Sequence, residues 1–283
     1  MKVLVTGATG NLGALVVEGL IKVMPVEQIA VSVRDPKKAE KLSGVGIDVR
    51  YGNFNEPESL VKAFEGIDRL LIISSGDLQG RDQQHINAIK AAKEAGVQFI
   101  AYTSAPNAQE SNLFVAPDHR VTENELQASG IPFTILRNNW YLENEIGTFQ
   151  AVLNGAPWVT SAGTGKVGWV ARRDFAEAAV KVLTSQGHDN KVYELSGKPL
   201  TQQELVTIFN QAVNKEVQVL QVDDNTYGKM MSDAGVPEMF IPFLVSTQSG
   251  IRDGELDIES DDLVEILGRP ATPLDEVIKQ ILN

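Results

Sequence analysis

Lys2-Val3-Leu4-Val5-Thr6 runs directly into Gly7-Ala8-Thr9-Gly10-Asn11-Leu12-Gly13, and this junction decides the fold. The first five residues form a β-branched, apolar run that reads as a strand. Leu12, Leu15, Val16, Gly19, Leu20 and Val23 then recur at helical spacing until Pro25 ends the pattern. The turn between them is G-x-x-G-x-x-G. Gly7 permits a tight exit from the strand, Gly10 lets the backbone approach a pyrophosphate, and Gly13 allows close helix–strand packing. The start of the helix then offers free N–H groups and a positive dipole end to an anion. A Gly-rich turn alone is weak evidence. Its place at the first strand of a strand–helix–strand series is what gives it weight.

That series extends outward from the turn. Strands are predicted over residues 29–33, 47–51, 69–73, 98–103 and 133–137. Helices are predicted after Pro36, after Pro57, over residues 82–95, and within residues 115–129. Alternation with nearly continuous apolar strands predicts an α/β fold: a Rossmann-like, doubly wound parallel sheet covered on both faces. Ligands in such sheets bind beyond the carboxyl ends of the strands. The segments to read closely are therefore residues 7–13, 34–38, 53–54, 74–76, 103–106 and 138–144. Residues 1–150 are expected to form the dinucleotide-binding domain, with 169–197 packing back onto it. Residues 151–283 should form a smaller, irregular C-terminal domain on the substrate side. The apolar pairs there, Met230-Met231 and Met239-Phe240-Ile241, read as core, with a lid over a ligand as the alternative.

Composition excludes several classes of function. The chain has 283 residues, 25 Lys plus Arg against 37 Asp plus Glu, and a formal charge of −12. That balance argues against a nucleic-acid or anionic-membrane partner. No run is long enough to span a bilayer, and the N-terminus does not read as a signal peptide, so a cytoplasmic location is expected. The absence of cysteine excludes disulfides, thiolate catalysis and Cys-ligated metal. His85, His119 and His188 are widely spaced, so no metal site is expected.

The end of the second strand chooses between dinucleotides. It reads Val31-Ser32-Val33-Arg34 where an acidic residue would bind a ribose 2′-hydroxyl. Arg34 can pair with a 2′-phosphate through two N–H bonds, with Lys37 or Lys38 as a second cation. Asp35 follows and could instead meet a hydroxyl. NADP(H) is expected in preference to NAD(H). No flavin is expected, because one turn accounts for one dinucleotide.

An absence is as informative as the turn. Four residues after Tyr51, Tyr102, Tyr141, Tyr193 and Tyr227 stand Asn55, Pro106, Glu145, Gly197 and Met231, so there is no Tyr-x-x-x-Lys. Neither G-x-S-x-G nor G-x-x-x-x-G-K-[ST] is present. His119 and Glu123 share a helix face at i and i+4. They could be a catalytic pair, with the glutamate raising the histidine pKa so that it donates a proton, or a surface ion pair.

The segments 5–13, 33–36, 99–104, 136–144 and 192–197, with Leu200-Thr201 and Leu267-Gly268-Arg269-Pro270 further on, together resemble the NmrA-like branch of the atypical short-chain dehydrogenases. Within that branch the chain looks most like the bacterial type-two NAD(P)H-dependent quinone reductases. The Leu136–Asn144 block and the missing Tyr-x-x-x-Lys are the specific parts of the likeness. The resemblance implies an NADPH-binding Rossmann domain, a small second domain and a cleft between them. It implies that Gly7, Ala8, Thr9, Gly10, Asn11 and Leu12 hold the pyrophosphate and that Arg34 meets the 2′-phosphate, with Gly13 and Lys38 also at the cofactor site. Ser74, Ser75 and Gly76 line the ribose, and Thr103 is a further cofactor-binding residue. Asn138, Asn139, Trp140, Tyr141, Leu142 and Glu143 lie near the nicotinamide. The implied reaction is hydride transfer to a quinone such as benzoquinone or a naphthoquinone. The alternative is a non-catalytic NADP(H)-sensing regulatory protein, also known in this family, whose partner surface would be residues 221–283. A sugar epimerase would need the missing Tyr-x-x-x-Lys base.

Quinone reduction suits this sequence on physical grounds. The arriving charge spreads over a ring and an oxygen, so little proton donation is needed in the transition state. The protein must supply close approach and hydrogen bonds to the developing oxyanion. The expected catalytic residues are Asn138, Tyr141 and His119, and the expected substrate contacts are Trp140, Tyr141 and Arg172. Trp140 is also readable as core packing, and Asp174 as a helix-start cap. A quinone is the expected partner, with a second copy of the chain in a homodimer as a further option.

Overall fold

The structure, a computed structural model, describes residues 1–77 and 79–282. Six strands follow one another through the first half: β1 (Val3–Thr6), β2 (Ile29–Val33), β3 (Asp48–Tyr51), β4 (Arg69–Ile72), β5 (Phe99–Ser104) and β6 (Phe133–Asn138). The short strands β7 (Trp158–Thr160) and β8 (Lys166–Val167) come next, then β9 (Lys191–Leu195), which returns to the main sheet. Every neighbouring pair in the order β3-β2-β1-β4-β5-β6-β9 is parallel. The order in which strands are added reverses between β1 and β4, which is where a doubly wound sheet opens a crevice for a ligand.

Alternation along the strands sorts the core into two layers. Val3, Val5, Val31 and Leu71 pack with α1 (Asn11–Val23) and, from later in the chain, Phe175 and Ala179. Leu4, Ala30, Leu70, Ile72, Ile100 and Tyr102 face the other way. That second face is covered by α3 (Pro57–Phe64), α4 (Arg81–Glu94) and α5 (Ala116–Ala128), which follow the short α2 (Glu40–Gly44). Strands buried on both faces are apolar at most positions, which is why their sequences read as nearly continuous runs. After Pro36 the expected helix is broken: a 3₁₀ turn at Pro36–Ala39 leads into the five residues of α2.

The second half builds a smaller layer around a third core. Trp158, Phe149 and Phe209 meet there, Phe149 stacking on Phe209 at 5.1 Å between ring centroids. Its helices are α6 (Ile146–Leu153), α8 (Gln202–Val213), α10 (Ile241–Arg252) and α12 (Leu274–Leu282), with α9 (Asp224–Asp233) outside them. Between α6 and α8, α7 (Arg172–Thr184) crosses to the main sheet and packs on α1, where Gly19 gives Val180 room. The short strands β10 (Leu200–Thr201) and β11 (Val219–Gln221) pair with β8 and β7, and α11 (Asp262–Leu267) packs beside α7 and β9.

Two readings are corrected here. Asp174 lies in the first turn of α7 but makes no cap bond. Its buried carboxylate instead accepts from Arg269 Nη2 at 2.9 Å and from Thr272 N and Oγ1 at 2.7 and 2.9 Å. It therefore fixes the C-terminal segment to α7, which packs on the main sheet. Met239 and Phe240 are not core: they are 69% and 41% exposed. An apolar run in the sequence does not say whether a second surface covers it.

Candidate active site

The strand–turn–helix junction forms as its glycines require. Gly7 has φ +62°, which favours glycine, and its carbonyl accepts the Gly10 N–H at 2.9 Å. A Cβ on Gly13 would come within 2.2 Å of the Gly7 oxygen, so only glycine lets α1 sit this close to β1. The N-terminus of α1 carries no side-chain cap and no acidic residue in its first turn. Its N–H groups are left for an anion. Ala8 and Leu12 turn their side chains into the core, so these two offer only backbone, while Thr9 and Gly10 line the cleft beside the turn.

That cleft, about 350 Å³, runs across the carboxyl ends of β1 to β4. Arg34, Asp35 and Lys38 line one end and Ser74, Ser75 and Gly76 the other. The 74–76 loop is braced from below. Ser74 N–H donates to Thr103 Oγ1 at 2.9 Å, and Ser75 N–H to His85 Nε2 at 2.9 Å. Thr103 is thus a buried support for the loop and does not line the cleft. Gly52, Asn53, Phe54, Asn55, Asp77 and Gln84 do line it and had no assigned role in the sequence. The position of Asn53-Phe54 at the end of β3 was the available signal. For Asp77 and Gln84 there was none.

The His119–Glu123 pair does not form. Glu123 is fully buried and accepts from Ser104 Oγ (2.6 Å), Gln109 Nε2 (2.8 Å) and Arg137 Nε and Nη2 (2.9 and 2.6 Å). Arg137 also reaches Glu194 at 2.8 Å. His119 instead meets Arg81 Nη2 at 3.0 Å through Nε2 and Tyr102 OH at 2.7 Å through Nδ1. A guanidinium only donates, so Nε2 is the acceptor and the neutral ring carries its proton on Nδ1. Burial, and then the Arg81 charge, hold the His119 pKa well below its ordinary value. The expectation of a raised pKa is overturned. His85 belongs to the same cluster and is pushed down to about 3 by burial and Arg81.

The loop after β6 separates into parts. Asn138 is buried; its Nδ2 donates to Tyr141 OH at 3.0 Å, and its Oδ1 has no partner among the described residues. Burial raises the Tyr141 pKa, so the phenol stays protonated at neutral pH. Its ring packs edge-on against Phe175, with the Arg172 guanidinium 5.2 Å from its centroid. Asn139 is committed to structure: Nδ2 donates to Ser196 Oγ and the Leu256 carbonyl, and Oδ1 accepts the Trp140 N–H. Leu142 is fully buried in the third core, so its side chain meets no ligand. Glu143 accepts the Arg172 N–H at the start of α7 at 3.0 Å with each oxygen. Trp140 is half-buried, its indole N–H bonded to Glu145 Oε1 at 3.1 Å, and the Trp169 indole reaches the same oxygen at 3.2 Å. Of the six residues expected near a nicotinamide, Asn138 and Tyr141 keep polar atoms that no structural bond uses up.

A phosphorylated dinucleotide fits these residues. The turn closes on α1 only because Gly13 has no Cβ, the α1 terminus is uncapped, Arg34 and Lys38 supply cations, and Asn138 Oδ1 is a buried acceptor with no partner among the described residues. Among the described residues no group of three or more His, Asp or Glu side chains could hold a metal ion, and no helix is long and apolar enough to cross a membrane.

Comparison with known proteins agrees with this geometry. Residues 7–186 match the NAD(P)H-binding family. Quinone oxidoreductase 2 of Escherichia coli is 38% identical over 280 residues, covering 99% of this chain and 98% of that protein. The solved structure of the E. coli NADPH-dependent quinone oxidoreductase complexed with NADPH superposes with a TM-score of 0.96 at 37% identity, covering 100% of both chains. Triphenylmethane reductase of Citrobacter sp., complexed with NADP(H), gives 0.95 at 40% identity over 99% of this chain and 100% of that one. An NmrA-like family domain-containing oxidoreductase of Aspergillus flavus is 29% identical over 296 residues, covering 100% of this chain and 95% of that protein. The chain belongs to the NmrA-like, NAD(P)H-binding family.

Proposed function

We propose that this member of the NmrA-like family is an NADPH-dependent quinone reductase. The observation that carries the reading is its end-to-end likeness to the E. coli quinone oxidoreductase, with the cleft at the strand ends intact. Residues 1–150 with 169–197 form the cofactor side, and the rest of 151–283 the acceptor side. In this reading the backbone of Gly7–Gly13 holds the pyrophosphate, Arg34 and Lys38 the 2′-phosphate, and Ser74–Gly76 the ribose. When bound, NADPH supplies a hydride. NADP(H) is preferred over NAD(H) and no flavin takes part. The protein works in the cytoplasm, and a homodimer is compatible with this account.

The chain's own residues set the rest. Asn138 Oδ1, buried and without a partner among the described residues, would accept an N–H from the nicotinamide carboxamide. Tyr141 OH already accepts from Asn138, which leaves its proton free to bond a developing oxyanion on the acceptor. Arg172 over the Tyr141 ring strengthens that donor. Trp140, anchored through its indole N–H, offers a flat face at the edge of the acceptor site. His119 is too deeply buried to act, so the proton that completes the hydroquinone comes from solvent.

The likeness to triphenylmethane reductase supports a second acceptor class. A triarylmethyl cation takes a hydride at carbon and needs no proton, which suits a site with no buried acid–base pair at hand. Equimolar loss of NADPH and gain of hydroquinone tests the main reading. NADPH loss without hydroquinone overturns it, and reduction of a triarylmethane dye alone moves the assignment to the second class. Tight cofactor binding with no turnover of either acceptor would return the sensor alternative.

A further inference from the structure

The adenosine end of the cleft carries opposed charges. Arg34 and Lys38 line it together with Asp35 and Asp77. Asp35 is committed locally: its Oδ1 accepts the Lys37 N–H at 3.1 Å and starts the 3₁₀ turn. Asp77 is placed differently. Its Oδ2 lies 3.9 Å from Arg34 Nη1 and accepts from Gln84 Nε2 at 2.8 Å. Gln84 is buried in the first turn of α4, and the same amide reaches Asn55 Oδ1 at 3.3 Å. The Asp77 N–H donates to Ser75 Oγ at 3.2 Å. The carboxylate is therefore held from both its backbone and its tip, facing the guanidinium expected to take a phosphate.

We propose that Asp77 is a specificity-determining residue: a fixed carboxylate beside Arg34 that limits how strongly the site prefers NADPH over NADH. The inference rests on the reading that Arg34 meets the 2′-phosphate. An exposed pair of this length holds Arg34 loosely, so a phosphate captures the guanidinium without difficulty. The dianion then stands beside Asp77 and is repelled by it. NADH brings a neutral 2′-hydroxyl, which donates to the same carboxylate. One charge works against the first cofactor and for the second. Gln84 is the positioning residue that stops Asp77 from swinging away.

Equilibrium titration by nicotinamide fluorescence tests this without turnover. Asp77→Asn keeps the Gln84 bond and removes the charge. At low ionic strength it should tighten NADPH about three- to tenfold, the size expected for a like charge several ångströms from a phosphate in a solvent-open cleft. NADH affinity should stay level or fall, and the gain for NADPH should shrink as salt rises. Equal changes for both cofactors, no change, or a gain that persists in high salt would overturn the proposal. Arg34→Ala in the same titration separates the two readings. Selective loss of NADPH there, with no effect of Asp77→Asn, sinks the Asp77 inference alone. Equal loss of both cofactors sinks the Arg34 assignment and the inference with it.

Discussion

Replacing Gly13 by alanine is the sharpest probe of the turn that decides the fold. The added methyl would stand 2.2 Å from the Gly7 carbonyl oxygen and 2.8 Å from Ala8 Cα and Gly7 C. Those are backbone atoms, so no side chain can rotate out of the way. The helix must retreat by about 0.8 Å merely to reach the 3.0 Å limit below which real contacts are not found. Its other side is held by α7, where Gly19 already lies against Val180. Overpacking of this kind costs about 1–3 kcal/mol, and the backbone contact favours the upper end. Displacing the first-turn N–H groups also weakens each phosphate bond they make, at about 1.5–3 kcal/mol for a charged acceptor. The expected result is a lower unfolding midpoint and NADPH binding weakened by at least about tenfold, read by denaturation and by nicotinamide fluorescence. Gly44→Ala is the control, because nothing lies within 4 Å of its Cβ. A Gly13→Ala protein with normal stability and normal NADPH affinity would refute the argument.

Two further predictions concern buried charge. Glu123→Gln should destabilise the fold by about 3 kcal/mol, since it leaves Arg137 with only Glu194 for a counter-charge; denaturant unfolding measures it, and a change under about 1 kcal/mol would contradict the network. Stability should also fall as pH drops from about 6.5 toward 5. His85 has a folded pKa of about 3 against 6.5 ordinarily, and His119 is shifted the same way, so the unfolded chain binds more protons in that window. The stabilisation is complete above pH 6.5 and is lost as pH falls toward 3. Urea midpoints that stay flat between about pH 7 and 5 would show that the two rings are not held neutral.

The parallel sheet was legible because strands buried on both faces are mostly apolar, as Val3–Thr6 and Ile29–Val33 are apart from Thr6 and Ser32. The Gly-rich turn was legible because its spacing is forced by backbone contact. That Arg34 lines the cleft could be read from its place at the end of β2. What failed was local inference about charge. His119 and Glu123 share a helix face, yet each finds a partner on a different strand, because burial demands full satisfaction and strand neighbours meet that demand better than an i+4 residue. Asp174 looked like a cap, but its partners Arg269 and Thr272 are more than ninety residues away in sequence. Asp77 carried no pattern at all, since only the fold brings it to Arg34. Met239 and Phe240 read as core because hydropathy cannot tell a covered face from an open one.

NADPH oxidation with a simple benzoquinone, beside an NADH control, should be followed for the wild-type protein and Arg34→Ala. Oxidation should require the quinone and be faster with NADPH, with the preference abolished in the variant. Oxidation independent of quinone, or an NADPH preference that survives loss of Arg34, would contradict the proposed NADPH-dependent quinone reduction.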